Sequence, residues 1–385
     1  MIGYQSVFSF ALPTKIVFGA GASKKLFDEM AELGAMRPLI VTDKGIVSAG
    51  ILDKVMAGLP KGTSHQVFDD VEPNPKDINV ASGAEKYRSF GADSIVAIGG
   101  GSPMDCAKAI GVLAANGTNS IKAFEGKNAP SKPLPPLICV PTTSGTGSEL
   151  TFSSVITDTN EQYKMTVKNP FTAPRTALCD PELTLTVPAS ITASTGMDAL
   201  THAIEAFTAT CAEPISDAVA LYAIELIYQN LVKAFENGTD LESKSNMLMG
   251  SMLAGIAFSH SDVASVHCIA EALGGMYDLP HGACNAIFLP FMMEYNLNYC
   301  ERQYARIARA MYLDYSSERE GAAAAVRAVK QLAADVKLPS FSSLNVDVAD
   351  YPKIALASAK NLSTESNPRP MSERDYMEVL KMAQL

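Results

Sequence analysis

The first half of the 385-residue chain alternates short apolar runs with segments of helical periodicity. Several of the runs are apolar at every position, as expected of strands that are covered on both faces. Helical patterns lie between them, for example at residues 22–33 and 77–90. This alternation predicts an α/β domain with a mainly parallel sheet. The predicted strands lie at residues 15–18, 38–42, 66–68, 94–98, 137–140, 155–158 and 176–179.

The second half has long helical patterns and few strand signals, which predicts an all-α domain. A stretch rich in Pro, Thr and Ser follows Asp180 and Pro181 and separates the two halves. We therefore expect an α/β domain over residues 1–182 and an all-α domain over residues 183–385. The predicted helices of the second half lie at residues 197–208, 215–236, 241–258, 263–277, 301–311, 318–335 and 372–384.

Composition narrows the class of protein. Apolar residues make up 47% of the chain, and 31 basic against 41 acidic residues give a net charge of −10. The acidic balance argues against nucleic-acid binding, and no apolar run is long enough for a membrane span. The seven cysteines are scattered and lack CxxC spacing, which is typical of reduced thiols. We expect a cytoplasmic protein without nucleic-acid or membrane partners.

Two glycine-rich segments follow predicted strands and are candidates for a nucleotide site. Gly99, Gly100, Gly101 and Ser102 lie between the strand at 94–98 and a helix predicted from Met104. A helix N-terminus with bare backbone N–H groups favours a phosphate. The loop at 141–149 adds hydroxyls and glycines that suit a diphosphate and a ribose. A glycine segment at 19–23 is interpreted as a tight turn into a capped helix.

Asp43 bears on the choice between NAD and NADP. It directly follows the predicted strand at 38–42. Ligands bind at the C-terminal ends of the strands in open α/β sheets. A carboxylate there accepts a hydrogen bond from a ribose 2′-OH and repels a 2′-phosphate, which favours NAD. From position alone, a simple helix cap is an equally good interpretation.

The histidines suggest a metal site in the second half. The chain has five, and four of them lie between His202 and His281. Asp198 and His202 are four residues apart, so on a helix they project from one face. Together with His267 and His281 they would form an Asp–His₃ set with an open coordination position, suited to Fe²⁺, Zn²⁺, Mn²⁺ or Co²⁺. Spacing alone leaves open a capping aspartate and a core histidine.

The chain resembles the iron-containing (group III) alcohol dehydrogenases over essentially its whole length. The matching segments are 99–108, 141–149, 196–206, 277–282 and 367–369. The resemblance implies a dehydroquinate-synthase-like architecture, with an N-terminal dinucleotide-binding domain, a helical C-terminal domain and a cleft between them. It also implies NAD(H), Fe²⁺ or another divalent metal such as Zn²⁺, and a homodimer or larger assembly.

The resemblance assigns roles to particular positions. It makes Asp198, His202, His267 and His281 the metal ligands. The positions that match the NAD site are Asp43, Asn74, Gly100, Gly101, Ser102, Asp105, Thr142, Thr143, Thr146 and Lys164. Among these, Lys164 is expected to position the nicotinamide ribose.

The expected substrate pocket departs from the family pattern. Glu271 stands where relatives often have a second histidine, His260 where asparagine is common, and Ser363 where cysteine is common. Glu271 could move protons, tune the metal, or only solvate the cleft. His260 is interpreted as a polar cleft or cap residue. Candidate pocket residues are Phe152, Ser153, Phe258 and Ser363, although both phenylalanines could equally be core residues.

We therefore expect an NAD(H)-dependent alcohol dehydrogenase or aldehyde reductase for a small primary alcohol, a diol or the matching aldehyde. A divalent metal would act as a Lewis acid on the substrate oxygen, with hydride transfer to or from nicotinamide C4. Alternatives are a glycerol- or maleylacetate-type reductase and a dehydroquinate-synthase-like lyase. The lyase would need several basic side chains, but residues 196–206 and 258–284 contain no Lys or Arg. A nucleotide-binding protein without catalysis is disfavoured by the full set of metal ligands.

Overall fold

The computed structural model describes residues 7–384 apart from 128, 129 and 131. Within these residues the chain divides into two compact units. The α/β unit holds residues 11–143 and 147–187, and the helical unit holds residues from 188 onward together with 7–10 and 144–146. The helical unit therefore begins a few residues after the expected 182/183 boundary, and it also includes part of the 141–149 loop.

The strands of the α/β unit form two sheets. The main sheet has six strands, and every pairing in it is parallel. This confirms the predicted parallel sheet, and the seven predicted strands have ends that differ by at most two residues. The strands are β1 Lys15–Phe18, β2 Pro38–Val41, β3 Gln66–Phe68, β4 Ser94–Gly99, β5 Gly126–Lys127, β6 Leu137–Pro141, β7 Ser153–Asp158, β8 Tyr163–Lys168 and β9 Thr176–Cys179.

The order of the main sheet is β1-β9-β6-β4-β2-β3, which puts β4 and β6 near its middle. The three remaining strands form a small sheet in the order β5-β8-β7, in which β7 runs antiparallel to β8. The predicted strand at 155–158 therefore pairs outside the main sheet. Its partner β8 was not predicted, although its alternation of polar and apolar residues is itself a strand signal.

Helices cover both faces of the main sheet, which explains the continuously apolar strands. Ile95 and Ala97 of β4 pack with residues of the helices at 77–90 and 101–116, whereas Val96 and Ile98 pack with residues of the helices at 26–32 and 51–56. Successive residues of a strand point to opposite faces, so both sets are buried. The helices of this unit are α1 Leu26–Glu32, α2 Lys44–Ser48, α3 Ile51–Met56, α4 Asp77–Phe90 and α5 Gly101–Asn116.

The helical unit is built around one apolar core that all its long helices share. Two of its helices, at residues 281–296 and 351–360, were not predicted. The first of them contains Pro290, a residue that normally ends a helical pattern. The helices are α6 Ala189–Thr208, α7 Pro214–Glu236, α8 Leu241–His260, α9 Ser265–Tyr277, α10 His281–Asn296, α11 Glu301–Ala310, α12 Glu318–Asp335, α13 Tyr351–Lys360 and α14 Glu373–Gln384.

Among the described residues, α7 is the one helix long and apolar enough to cross a membrane by length and composition. In the fold it packs against α6 and α8 and buries Ala220, Ile224 and Ile227 in the core. It begins with a capping box formed by Glu213 and Ser216. These contacts are those of a core helix.

Candidate functional site

Four side chains from three helices of the helical unit converge on one point. Asp198 and His202 come from α6, His267 from α9 and His281 from α10. One ligand atom from each lies within 4.8 Å of all the others. The first three are buried and His281 is half-buried. The structure thus brings together all four residues that were predicted as metal ligands, here named the Asp–His cluster.

The distances within the Asp–His cluster fit a bound cation. Nε2 of His202 lies 2.9 Å from Nε2 of His267. Two nitrogens at 2.0–2.1 Å from one metal ion lie about 2.9–3.4 Å apart at coordination angles of about 90–109°. The buried Nδ1 of His202 has no hydrogen-bond partner among the described residues. One carboxylate and three imidazoles are a donor set suited to Fe²⁺ or Zn²⁺.

The close approach of α10 to α6 depends on Gly282. A Cβ at this position would lie 3.0 Å from the Ser194 carbonyl oxygen and 3.3 Å from Cβ of Asp198. Any larger residue would push the first turn of α10 away from α6. Since His281 is the first residue of α10, the glycine that follows it lets its ring reach the cluster.

The pKa values of the two buried histidines are shifted in opposite directions. Burial and the neighbouring His267 hold the pKa of His202 well below its ordinary value, so His202 is neutral and can bind a metal. Burial also lowers the pKa of His267, but the hydrogen bond and charge of Glu205, with the charges of Asp198 and Glu271, outweigh burial and raise it.

Two residues that sequence analysis missed contact the Asp–His cluster. Glu205 Oε2 accepts a hydrogen bond of 2.5 Å from Nδ1 of His267. Asn285 Nδ2 donates to Oδ1 of Asp198 over 2.7 Å and lies 3.1 Å from Nε2 of His281. One signal was available: Glu205 is an acidic residue within an apolar stretch of α6, three residues after His202. Asn285 had a weaker signal, one helical turn after His281.

Next to the cluster lie Phe258, a predicted pocket residue, and Glu271, a predicted catalytic residue. The ring of Phe258 stacks on that of His202, with centroids 4.5 Å apart. Glu271 is half-buried one turn after His267 on α9, and its Oε2 accepts from Asn361 Nδ2 over 2.6 Å. Asn361 also accepts from the backbone N–H of Ser363, whose hydroxyl donates to Asp262. Asn361 thus ties Glu271 to the turn that contains Ser363.

His260 is the last residue of α8, before the C-cap Ser261. Its Nδ1 lies 2.8 Å from the carbonyl oxygen of Ile256, one turn back. Its ring stacks on Phe10, with centroids 3.9 Å apart. His260 is outside the group of residues that could hold a metal ion.

In the α/β unit, the residues Gly99–Gly101, here named the glycine turn, join β4 to α5. Gly99 has φ of +150°, and a Cβ there would lie 2.6 Å from Cγ of Pro103. Helix α5 begins at Gly101, earlier than the predicted Met104, and its first turn has no acidic residue. The N-terminus of this 16-residue helix therefore presents backbone N–H groups suited to a phosphate.

Thr142 follows β6 beside the glycine turn. Its backbone N–H donates to the Gly99 carbonyl over 2.9 Å. The hydroxyl is buried, yet it makes no hydrogen bond within the described part of the chain. A buried hydroxyl without a partner fits a bound ligand at this position. Thr143 comes next in the α/β unit, whereas Thr146 groups with the helical unit.

Two further NAD-site candidates are brought together, and a third has a local role. Nζ of Lys164 donates to Oδ1 of Asn74 over 2.8 Å, and Asn74 has a left-handed φ of 50°. Asp43 is the N-cap of α2, where its Oδ1 accepts from the Ile46 N–H over 2.9 Å. This bond agrees with the helix-cap interpretation and leaves contact with a ribose as a prediction.

Asp105 takes part in a buried network with Lys108, which sequence analysis missed. Asp105 accepts from the Ser148 hydroxyl at 2.6 Å and from the Val155 N–H at 3.0 Å. Nζ of Lys108 donates to Ser148 Oγ, Thr151 Oγ1 and the carbonyl oxygen of residue 153, each at 2.8–2.9 Å. Burial lowers the pKa of Lys108. The network fastens the segment after the 141–149 loop to α5.

The predicted pocket residues fall in both units. Phe152 is buried, and the half-buried Ser153 begins β7, both in the α/β unit. Phe258 and Ser363 belong to the helical unit. Of these four, Phe258 is in ring contact with the Asp–His cluster.

Known families and structures match the chain along its whole length. The family profile described as iron-containing alcohol dehydrogenase matches residues 13–181, and that of its C-terminal domain matches residues 192–384. The chain is 40% identical to 1,3-propanediol dehydrogenase of Citrobacter freundii, covering 98% of this chain and 99% of the relative. It is 38% identical to choline dehydrogenase of Bacillus subtilis, covering 98% and 95%.

Two solved structures are also similar to this chain over 98% of its length. A 1,3-propanediol oxidoreductase superposes with a TM-score of 0.95 at 37% identity, covering 98% of this chain and all of the other. Sulfoacetaldehyde reductase from Bifidobacterium kashiwanohense in complex with NAD⁺ superposes with a TM-score of 0.87 at 28% identity, covering 98% and 99%.

These comparisons confirm the predicted fold class, enzyme class and cofactors. Members of the family use NAD(H) and iron or another divalent metal, and the Asp–His cluster could bind such a metal. The roles of individual residues, the substrate, the assembly and the cytoplasmic location stay predictions. The chain belongs to the iron-containing alcohol dehydrogenase family.

Proposed function

We propose that the chain interconverts short diols and the matching hydroxyaldehydes with NAD(H), using a divalent metal held by the Asp–His cluster. The observation that carries this proposal is the convergence of four ligand atoms within 4.8 Å. When bound, the cation supplies Lewis acidity and the nicotinamide accepts or supplies hydride. The named 1,3-propanediol relatives support a diol as substrate.

The residues around the cluster have separate tasks in this proposal. Asp198 and the three histidines hold the cation, and Asn285 orients Asp198 through its hydrogen bond. Phe258 covers one face of the His202 ring and keeps water from it. These contacts keep the ligand set in one geometry before substrate arrives.

Glu271 is proposed to recognise the second hydroxyl of a diol. It projects from the same face of α9 as His267, and Asn361 fixes one of its oxygens. A carboxylate has several lone pairs, so it can accept a further hydrogen bond from a substrate hydroxyl. Glu271→Gln should lower kcat/KM for 1,3-propanediol about 10-fold more than for 1-propanol. Equal losses for both alcohols would contradict this role.

The α/β unit is proposed to bind the dinucleotide. The N–H groups after the glycine turn and the Thr142 hydroxyl contact the diphosphate, and Ser102 and Thr143 add donors. Asp43 accepts from the ribose 2′-OH. Lys164, held by Asn74, positions the nicotinamide ribose. Asp105 acts through Ser148, whose position it fixes.

The proposal is tested with metal-free enzyme reconstituted under anoxic conditions with Fe²⁺ or Zn²⁺. A panel of 1,2- and 1,3-diols, simple alcohols, choline and the matching aldehydes is assayed with NADH or NADPH and the oxidised forms. We expect the highest kcat/KM for short diols, dependence on metal, and net formation of NADH. Turnover of the metal-free enzyme would contradict the metal role. Product formation without net NADH would instead indicate a lyase.

A further inference from the structure

The carboxylate of Glu205 makes three hydrogen bonds to the first turn of α9. Its Oε1 accepts from the Val266 N–H at 2.7 Å, and its Oε2 accepts from the Ala264 N–H at 2.9 Å. The third donor is Nδ1 of His267, at 2.5 Å. Glu205 itself is 4% exposed and lies on α6, one turn after His202.

Two of these bonds replace a missing helix cap. The N-cap residue of α9 is Ala264, which has no side-chain acceptor. The first N–H groups of a helix need acceptors, and alanine is among the poorest N-caps. Glu205 supplies the acceptor from a different helix, and its charge is favourable at the positive end of α9.

The third bond goes beyond capping, because it fixes the protonation of an imidazole. If Nδ1 of neutral His267 donates to Glu205, the lone pair is on Nε2. That Nε2 is the atom that faces Nε2 of His202 at 2.9 Å, inside the Asp–His cluster. The same carboxylate therefore sets the start of α9, the orientation of the ring and the nitrogen that can bind a metal.

We infer that Glu205 is a positioning residue that holds His267 as the Nδ1–H tautomer and so strengthens binding of the divalent cation. This inference rests on the proposed metal function. Glu205 does not touch the cation; it acts through His267.

The chain contains a matched control in Glu213. This residue is 2% exposed and caps α7 in the same helical unit. It accepts from the Ile215 N–H at 2.8 Å and the Ser216 N–H at 2.6 Å, and no histidine donates to it among the described contacts. Glu213→Gln therefore removes a buried capping carboxylate without changing a histidine.

The first experiment is a titration of metal-free protein with Co²⁺, followed by its visible absorption. We expect Glu205→Gln to weaken Co²⁺ binding about 10- to 100-fold, the usual loss when a group that orients a metal-binding histidine is removed. Glu213→Gln should bind Co²⁺ within about 3-fold of wild type. Equal losses in the two variants would reduce Glu205 to a helix cap and overturn the inference.

The second experiment needs no metal. With nitrogen-15-labelled histidine, the chain has only five imidazoles to resolve, and His267→Gln assigns the relevant signal. Because the pKa of His267 is raised, the spectra are recorded at an alkaline pH at which the ring is neutral. Metal-free wild type should then show His267 with its proton on Nδ1; a proton held on Nε2 alone would overturn the inference. If instead wild type binds no Co²⁺ while His267 carries the Nδ1 proton, the proposed metal function fails and the tautomer assignment survives.

Discussion

The Asp–His cluster and the glycine turn are built in different ways. The cluster consists of side chains from α6, α9 and α10, and it is held by further side chains such as Glu205 and Asn285. The glycine turn offers mainly backbone groups at the start of α5, and its shape depends on residues without side chains. Metal binding therefore depends on the identity of single side chains, whereas nucleotide binding depends on the path of the backbone.

The largest effect is expected from His267→Ala, which tests whether metal binding depends on the identity of single side chains. Loss of one ligand should remove the bound metal. The value of kcat/KM should then fall about 1000-fold or more, because the metal stabilises the transition state by several kcal/mol. NADH binding, followed by fluorescence, should stay close to wild type. A variant that keeps wild-type rates after treatment with a chelator would refute the metal mechanism.

The second-largest effect is expected at Glu149, the last residue of the 141–149 loop, which lies in the α/β unit and has a buried carboxyl group. Burial raises its pKa to about 7, and its Oε1 has no hydrogen-bond partner in the described chain. A raised carboxyl pKa stabilises the fold fully below the unfolded value of about 4.5, and this stabilisation is lost as pH rises through about 7.

As pH rises from 5 to 9, wild type should lose stability that Glu149→Gln keeps. The free energy of unfolding of the variant should therefore increase relative to that of wild type over this range. The gain is on the order of 3 kcal/mol at most, because each pKa unit corresponds to about 1.4 kcal/mol. Urea unfolding at the two pH values measures it. The exposed Glu85→Gln serves as the control, and a pH-independent difference for Glu149→Gln would show that Glu149 is not protonated in the fold.

Gly99→Ala tests whether nucleotide binding depends on the path of the backbone in the glycine turn. At φ of +150°, with Pro103 2.6 Å from the added Cβ, the turn must shift. We expect NAD⁺ to bind about 10- to 100-fold more weakly, with Co²⁺ affinity unchanged. Gly117→Ala lies at the other end of α5, at φ of +66° with open space around it. It should cost about 1 kcal/mol of stability and leave NAD⁺ affinity alone.

The smallest effect is expected from Asp43→Asn, which keeps a good N-cap but removes the charge. If Asp43 faces the ribose, the ratio of kcat/KM for NADPH over NADH should rise about 10-fold. Asp240→Asn, which alters the aspartate that caps α8, should leave the ratio unchanged. An unchanged ratio in Asp43→Asn would limit Asp43 to its capping role.

The structure follows the sequence prediction most closely where local pattern decides it. The strands of the main sheet are apolar on both faces, so their positions could be predicted within two residues. Helix α10 was missed because Pro290 interrupts its helical pattern, whereas strand β8 was missed although its alternation is a strand signal. The resemblance supplied the four cluster residues, since spacing alone left Asp198 and His202 ambiguous.

Contacts between residues far apart in the chain could not be predicted from spacing. Glu205 and His267 are 62 residues apart, and Lys108 and Ser148 are 40 residues apart. Each pair forms only after several helices and strands have packed. The same limit applies to residues 144–146, which group with the helical unit although both neighbouring segments belong to the α/β unit.

Lys108 also provides a natural reporter of opening in the α/β unit. Its amine is fully buried and donates to three oxygens, so an acylating reagent has no access to it while the unit is closed. The rate at which this lysine is acylated therefore measures how often the segment around Ser148 detaches from α5. A dinucleotide that tightens this segment would slow the acylation without touching the amine.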